Sequence, residues 1–173
     1  MKKMKYLAIV GLLFLIATSF DYAHPEGNEA GDQEIKAVKF KDIQHLMDDQ
    51  SGDLQVINFW ATWCGPCVKE MPSFEKAREK YAAKGVNFTL VSLDFKEDLN
   101  SKVIPFVKRK GIKANVMLLD NTKYDTWIDK VNNNWEGEIP VTLFINKKKG
   151  VRYFIKGAID YEELDQTIAR FLK

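Results

Sequence analysis

The chain has 173 residues, 46% hydrophobic and 29% charged, with 26 lysines and arginines against 24 aspartates and glutamates. That is long enough for one domain with its own core and too apolar for a disordered chain. A net charge of +2, to which Lys2, Lys3 and Lys5 contribute, comes from scattered lysines and does not make the basic face a nucleic-acid binder needs.

Residues 1–5 carry three lysines and residues 6–20 are almost entirely apolar, the pattern of a secretory signal. A membrane-crossing helix needs about 20 apolar residues. Residues 1–23 are therefore expected to be a signal peptide, cut after Ser19 or Ala23, or else an uncleaved anchor. No cysteine follows the run, which excludes a lipidated N-terminal cysteine. The domain is expected outside the cytoplasm, periplasmic or membrane-associated on the outer side of the inner membrane, where disulfides persist. Residues 24–33, HPEGNEAGDQ, read as a flexible linker, and the domain spans 34–173.

From there strands and helices alternate. Residues 34–40 suggest a short strand, 41–50 a helix, and 54–60 (LQVINFW) an apolar run of buried-strand length. Residues 66–84 read as a helix, 86–94 as a second buried strand, and a helix ends near Lys110. A short strand at 116–120 and a helix at 124–132 come next. Last are a strand at 141–146, a turn at 147–150, a strand at 151–156 and a helix at 161–172. This order predicts an α/β fold whose parallel-rich sheet is covered on both faces, with one antiparallel hairpin near the end.

Both cysteines of the chain, Cys64 and Cys67, stand in NFWATWCGPCVKEMP. A C-x-x-C pair can be half a zinc site, a staple or a redox pair. Structural zinc takes four ligands, and the only histidines are His24, in the linker, and His45, in an early helix. As a staple the ring is too small: loop entropy gives about 2 kcal/mol here, against about 4.7 for a 100-residue loop. A pair that opens and closes remains.

The strand at 54–60 ends just before the pair and a helix starts within it, so Cys64 should sit at the helix N-cap, facing unpaired backbone N–H groups that favour a thiolate. A fall in its pKa from about 8.5 to about 7 would take the thiolate fraction at pH 7 from about 3% to about half, yet speed attack only about threefold, because nucleophilicity falls with basicity. The larger effect is on leaving-group quality and redox poise. Cys67, one turn deeper, is the expected resolving thiol. Pro66 suits the first helical turn, and Gly65 lets another chain come close.

The segment FWATWCGPC resembles the active-site segment of the thioredoxin superfamily. The longer NFWATWCGPCVKEMP is similar, more narrowly, to the extracytoplasmic TlpA/ResA-like thiol-disulfide oxidoreductases. Cytosolic thioredoxins have aspartate where this chain has Asn58, and lack the glutamate found here as Glu70. The resemblance covers most of 34–173 and implies a thioredoxin fold, a central mixed sheet with helices on both faces, with the stretch between Asp94 and Tyr124 holding the subgroup's central αβ-type insert. It further implies that Pro140, in EIPVTLFI, is a cis-proline facing the cysteines and that Ile139 offers its backbone to a substrate peptide. The chain departs from the pattern two residues before that proline, where Glu138 stands in place of a frequent glycine.

Glu70 lies three residues after Cys67 on the helix, within reach of exchanging a proton with the resolving thiol directly or through water. The plainer reading is a solvated glutamate in an early helical turn. Asn58 is either part of the site or a packed, satisfied amide. Trp63 is read as a substrate-facing platform, with Gly65 and Pro66 beside it. Trp60, Trp127, Trp135, Tyr81, Phe88, Phe144 and Phe154 read as core, Trp135 close enough to Pro140 to rim the groove. Pro72 should bend its helix, and Lys147, Lys148 and Lys149 make a solvated turn. The implied function is protein-disulfide reduction by dithiol exchange, needing no metal or organic cofactor. The implied partners are disulfide-bearing clients such as apocytochrome c and a membrane thiol-electron donor, met by a monomer. Alternatives are a disulfide-inserting oxidant, although Gly-Pro between the cysteines resembles reducing members, and a binding or chaperone module using the groove near Pro140. A thiol peroxidase would pair its cysteine with a nearby threonine; Thr62 precedes Cys64, but its surroundings resemble thioredoxin.

Overall fold

The computed structural model describes residues 33–173; the expected signal segment 1–23 and residues 24–32 of the expected linker lie outside the described residues. The strands are β1 (Lys36–Val38), β2 (Leu54–Trp60), β3 (Val86–Ser92), β4 (Asn115–Leu119), β5 (Val141–Asn146) and β6 (Val151–Lys156). The helices are α1 (Phe40–Met47), α2 (Gly65–Tyr81), α3 (Ile104–Lys110), α4 (Ile128–Val131) and α5 (Tyr161–Leu172). The strands form one sheet in the order β1-β4-β3-β2-β5-β6. The first three pairings are parallel and the two involving β5 are antiparallel. This is the thioredoxin fold, and α3 and β4 occupy the expected insert.

β2 lies inside the sheet and every one of its residues is buried, which is why its sequence is an apolar run rather than an alternation. Its side chains still divide by face. Leu54, Val56 and Trp60 pack with Met71, Phe74 and Tyr81 of α2, Phe106 of α3, and Leu164 and Ile168 of α5. Ile57 and Phe59 point the other way, against Phe40, Ile43 and Met47 of α1 and against Trp127, Val131 and Trp135. Asn58 falls on the α2 face, opposite Thr142 of β5.

The helices begin where local chemistry starts them. The N–H of Lys39 donates to Asp42 at 3.0 Å ahead of α1, and Asp160 caps α5 by accepting from the N–H of Glu163 at 2.9 Å. α2 runs without interruption through Pro72 and stops at Tyr81, before the expected Lys84. The chain then turns at Gly85, whose φ of +67° favours glycine and whose Cβ, if present, would lie 2.7 Å from Asp53 Oδ1.

Some expected elements are corrected. The strand at 34–40 is only Lys36–Val38 and α1 ends at Met47. The helix at 124–132 is broken into a 3₁₀ turn, Tyr124–Thr126, and the four residues of α4. Trp127 breaks it with φ −141°, because its indole is fully buried, stacked 5.5 Å from Phe40 and 6.1 Å from Phe59, with Nε1–H donating to the Asn121 carbonyl. Burying that ring outweighs helix propensity. Gln33, placed in the linker by composition, is tied to the domain: its side chain donates to the Ile112 carbonyl and accepts from the Val116 N–H, both at 3.0 Å. Among the described residues no helix is long and apolar enough to cross a membrane.

Candidate active site

Beyond Trp60 the chain makes a tight turn, closed by the Cys64 N–H donating to the Ala61 carbonyl at 3.1 Å, and enters α2 with Cys64 as N-cap. Cys64 Sγ accepts from the N–H of Cys67 at 3.3 Å, an end group of the helix that has no intrahelical partner. The two sulfurs are joined in a disulfide, with the Cα atoms 5.3 Å apart. Cys67 is 0% exposed and Cys64 6%, so only Cys64 has any access from outside. Around it Trp63 is 67% exposed and Gly65 and Pro66 are exposed; a Cβ on Gly65 would meet nothing within 4 Å.

The loop before β5 completes this surface. The Ile139–Pro140 bond is cis, and the Ile139 carbonyl oxygen lies 3.8 Å from Cys64 Sγ. Pro140 is buried and Ile139 half-buried. Trp135 and Trp127 are core residues, but Trp135 also holds the loop, its Nε1–H donating to the Glu138 carbonyl at 2.7 Å. Glu138, at the point of departure from the family pattern, pairs with Lys156 at 2.8 Å, which holds its carboxyl below the usual range. The loop thus brings Ile139, with Pro140 next to it, to the sulfur that Trp63, Gly65 and Pro66 flank along the chain.

Glu70 is placed differently from a solvated glutamate. It is 4% exposed, with its carboxyl turned into the protein. One oxygen accepts from Asn58 Nδ2–H at 2.8 Å and the other from the backbone N–H of Ile159, also at 2.8 Å. Asn58 donates in addition to Thr142 Oγ1 at 3.1 Å. Burial raises the Glu70 pKa to about 7, outweighing the two hydrogen bonds that favour its charged form. Asn58 is a packed, satisfied amide, and one of its hydrogen bonds ties it to Glu70.

Three members of the site had no motif to announce them. Ile159 reaches Glu70 from far downstream, and Thr142 of β5 accepts from Asn58. Asp94, just beyond β3, is buried and accepts from the Thr62 N–H at 2.9 Å and the Thr62 hydroxyl at 2.5 Å; an acidic residue directly after the apolar strand LVSL was the one available sign. Thr62, weighed as a peroxidase partner, has its hydroxyl engaged there. Trp60 is buried beside Phe106, while Phe154, expected in the core, is half-buried against Trp135. Lys147, Lys148 and Lys149 are an exposed turn, with Lys147 paired to Asp48.

A profile of the AhpC/TSA family matches residues 27–154. The thioredoxin-like protein YneN of Bacillus subtilis is 35% identical over 146 residues, 83% of this chain and 78% of its own. The thiol-disulfide oxidoreductase ResA of Bacillus cereus is 31% identical over 139 residues, 80% and 74% of the two chains. Among solved structures, a thiol:disulfide interchange protein of the thioredoxin family from Chlorobium tepidum superposes with a TM-score of 0.59 at 26% identity, over 75% of this chain and 84% of that one. StoA from Bacillus subtilis shares the fold, with a TM-score of 0.51 at 23% identity over 68% and 83% of the chains.

Proposed function

The chain belongs to the AhpC/TSA family of thioredoxin-like proteins and is a thiol-disulfide oxidoreductase, and from that premise we propose that it works outside the cytoplasm as a reductase of protein disulfides. The observation that carries this reading is the asymmetry of the pair: one sulfur at the helix N-cap under an open rim, the other sealed behind it. In the reduced protein the Cys64 thiolate attacks one sulfur of a client disulfide, forming a mixed disulfide and releasing the client's other sulfur as a thiolate that takes up a proton. Cys67 then loses its proton and attacks Cys64 Sγ, which frees the second client thiol. The client has gained two electrons and two protons, and the Cys64–Cys67 disulfide has formed.

Glu70 is the group that takes the Cys67 proton, one helical turn away and with a pKa of about 7, matched to exchange near neutrality. The client lies across Trp63, Gly65 and Pro66 with its backbone along Ile139 and Pro140. The apolar leader after three lysines supports a place outside the cytoplasm, where a membrane thiol-electron donor would restore the dithiol; apocytochrome c, whose haem-binding cysteines must be reduced, is a fitting client. A Cys67→Ala variant should accumulate mixed disulfides with clients, and one that captures none removes the exchange mechanism. The potential of the pair decides direction. A value near thioredoxin's, about −270 mV, fits reduction, while one near DsbA's, about −120 mV, would make the protein an oxidant.

A further inference from the structure

We propose that Asp94 is a positioning residue for Cys64: it pins the turn that leads into α2 and, as a buried negative charge, opposes ionisation of the Cys64 thiol and so keeps the pair reducing. The inference rests on the reading of Cys64 as the entering thiol, and it is independent of which client is used.

Strand register places the two residues together. In the parallel β2–β3 ladder Trp60 is opposite Ser92, and the Leu93 N–H continues the ladder by donating to the Trp60 carbonyl at 2.7 Å. Two residues further along both chains, Thr62 and Asp94 meet. Asp94 Oδ2 accepts from the Thr62 N–H at 2.9 Å and from Ser92 Oγ–H at 2.7 Å; Oδ1 accepts from the Thr62 hydroxyl at 2.5 Å. Ser92 Oγ itself accepts from the Asp94 N–H at 3.1 Å, so its own proton points to the carboxylate. The side chain is held by donors alone, as a carboxylate requires.

The nearby cations are engaged elsewhere. Lys96 pairs with Asp120 at 3.0 Å and Lys102 with Asp98 at 3.0 Å. On α2, Lys69 is exposed and Glu70 is turned to Asn58 and Ile159; on the proline loop, Glu138 is paired with Lys156. The charge of Asp94 is thus met by hydrogen-bond donors, in the turn directly before the sulfur. The N-terminus of α2 favours a Cys64 thiolate, and Asp94 works against it. A less stable thiolate in the reduced form means a more reducing pair.

The test separates charge from geometry. Cys64 is titrated by its thiolate absorbance in a Cys67→Ala background, and the potential of the intact pair is measured against glutathione at a pH above the Cys64 pKa. With Asp94→Asn the acid dissociation constant of Cys64 is expected to rise about fivefold, and the potential to rise by about 20 mV, at about 30 mV per tenfold. Thr62→Val keeps the charge but removes a donor that neutralises it, so both quantities are expected to fall. Opposite signs are the signature, since mere loosening of the turn would move both variants the same way. Shifts of one sign, or none, overturn the proposal. Should Asp94→Asn fail to fold, Asp94→Ser removes the charge with a smaller polar side chain and must raise both quantities, opposite in sign to Thr62→Val. If Cys67, and not Cys64, captures a client when each is present alone, the entering-thiol reading fails instead.

Discussion

Glu70→Gln should make the oxidised protein relatively more stable as the pH rises. The wild-type carboxyl titrates at about 7 in the folded chain against 4.5 in the unfolded one. Between those values the native state holds the extra proton, so the stability of the wild type falls as pH increases through that window. The whole displacement is worth about 3 kcal/mol at about 1.36 kcal/mol per unit, of which about 2.5 develops between pH 5 and pH 8. Glutamine has the same shape and no charge. Its oxygen can accept from the Ile159 N–H, and its amide can donate to Asn58 once that side chain turns its own oxygen inward. Denaturant unfolding of both proteins, followed by tryptophan fluorescence at pH 5 and pH 8, measures the difference. The variant should gain about 2.5 kcal/mol on the wild type between the two, while its turnover on a protein disulfide drops about 100-fold for want of a base. A stability difference that stays flat, or shifts toward the wild type as pH rises, would refute the assignment of a costly buried charge to Glu70.

Asn58→Asp sets a second carboxyl against the Glu70 oxygen now 2.8 Å from the Asn58 amide; the two would share one proton, and the loss of stability from pH 5 to pH 8 should exceed the wild type's by about 2 kcal/mol in the same unfolding assay. Trp135→Phe keeps a ring against Phe59 but removes the donor to the Glu138 carbonyl. It should cost about 1–3 kcal/mol and raise KM for a protein disulfide while sparing a small one, and equal loss on both substrates would count against a role for the loop in client binding. Phe74→Ala, at a fully buried position of α2, should lower stability by about 3–5 kcal/mol with no change in the potential of the pair, which unfolding and a glutathione titration would check.

Much of the molecule was legible because the relevant signals are local. The runs at 54–60, 141–146 and 151–156 and the helix at 161–172 match β2, β5, β6 and α5 residue for residue, since buried runs, a turn and an N-cap aspartate are written in adjacent residues. The C-x-x-C pair after a strand likewise placed Cys64 at the N-cap and Cys67 beneath it. Residues 124–132 could not be divided from pattern alone, because what breaks that helix is the burial of Trp127 among aromatic rings from α1 and β2.

By itself the sequence determined the order of strands and helices and the place of the cysteine pair at the start of a helix, since periodicity, capping and the scarcity of cysteine act over a few residues. Only the tertiary structure decided the charge environment of that pair. Glu70 acquires a pKa of about 7 because the fold buries its carboxyl, a cost that outweighs the Ile159 and Asn58 hydrogen bonds favouring the charged form. Asp94 meets Thr62 because the β2–β3 register runs two residues past the strand ends. A buried charge is governed by what surrounds it in space, and those neighbours come from segments that only the folded sheet brings together.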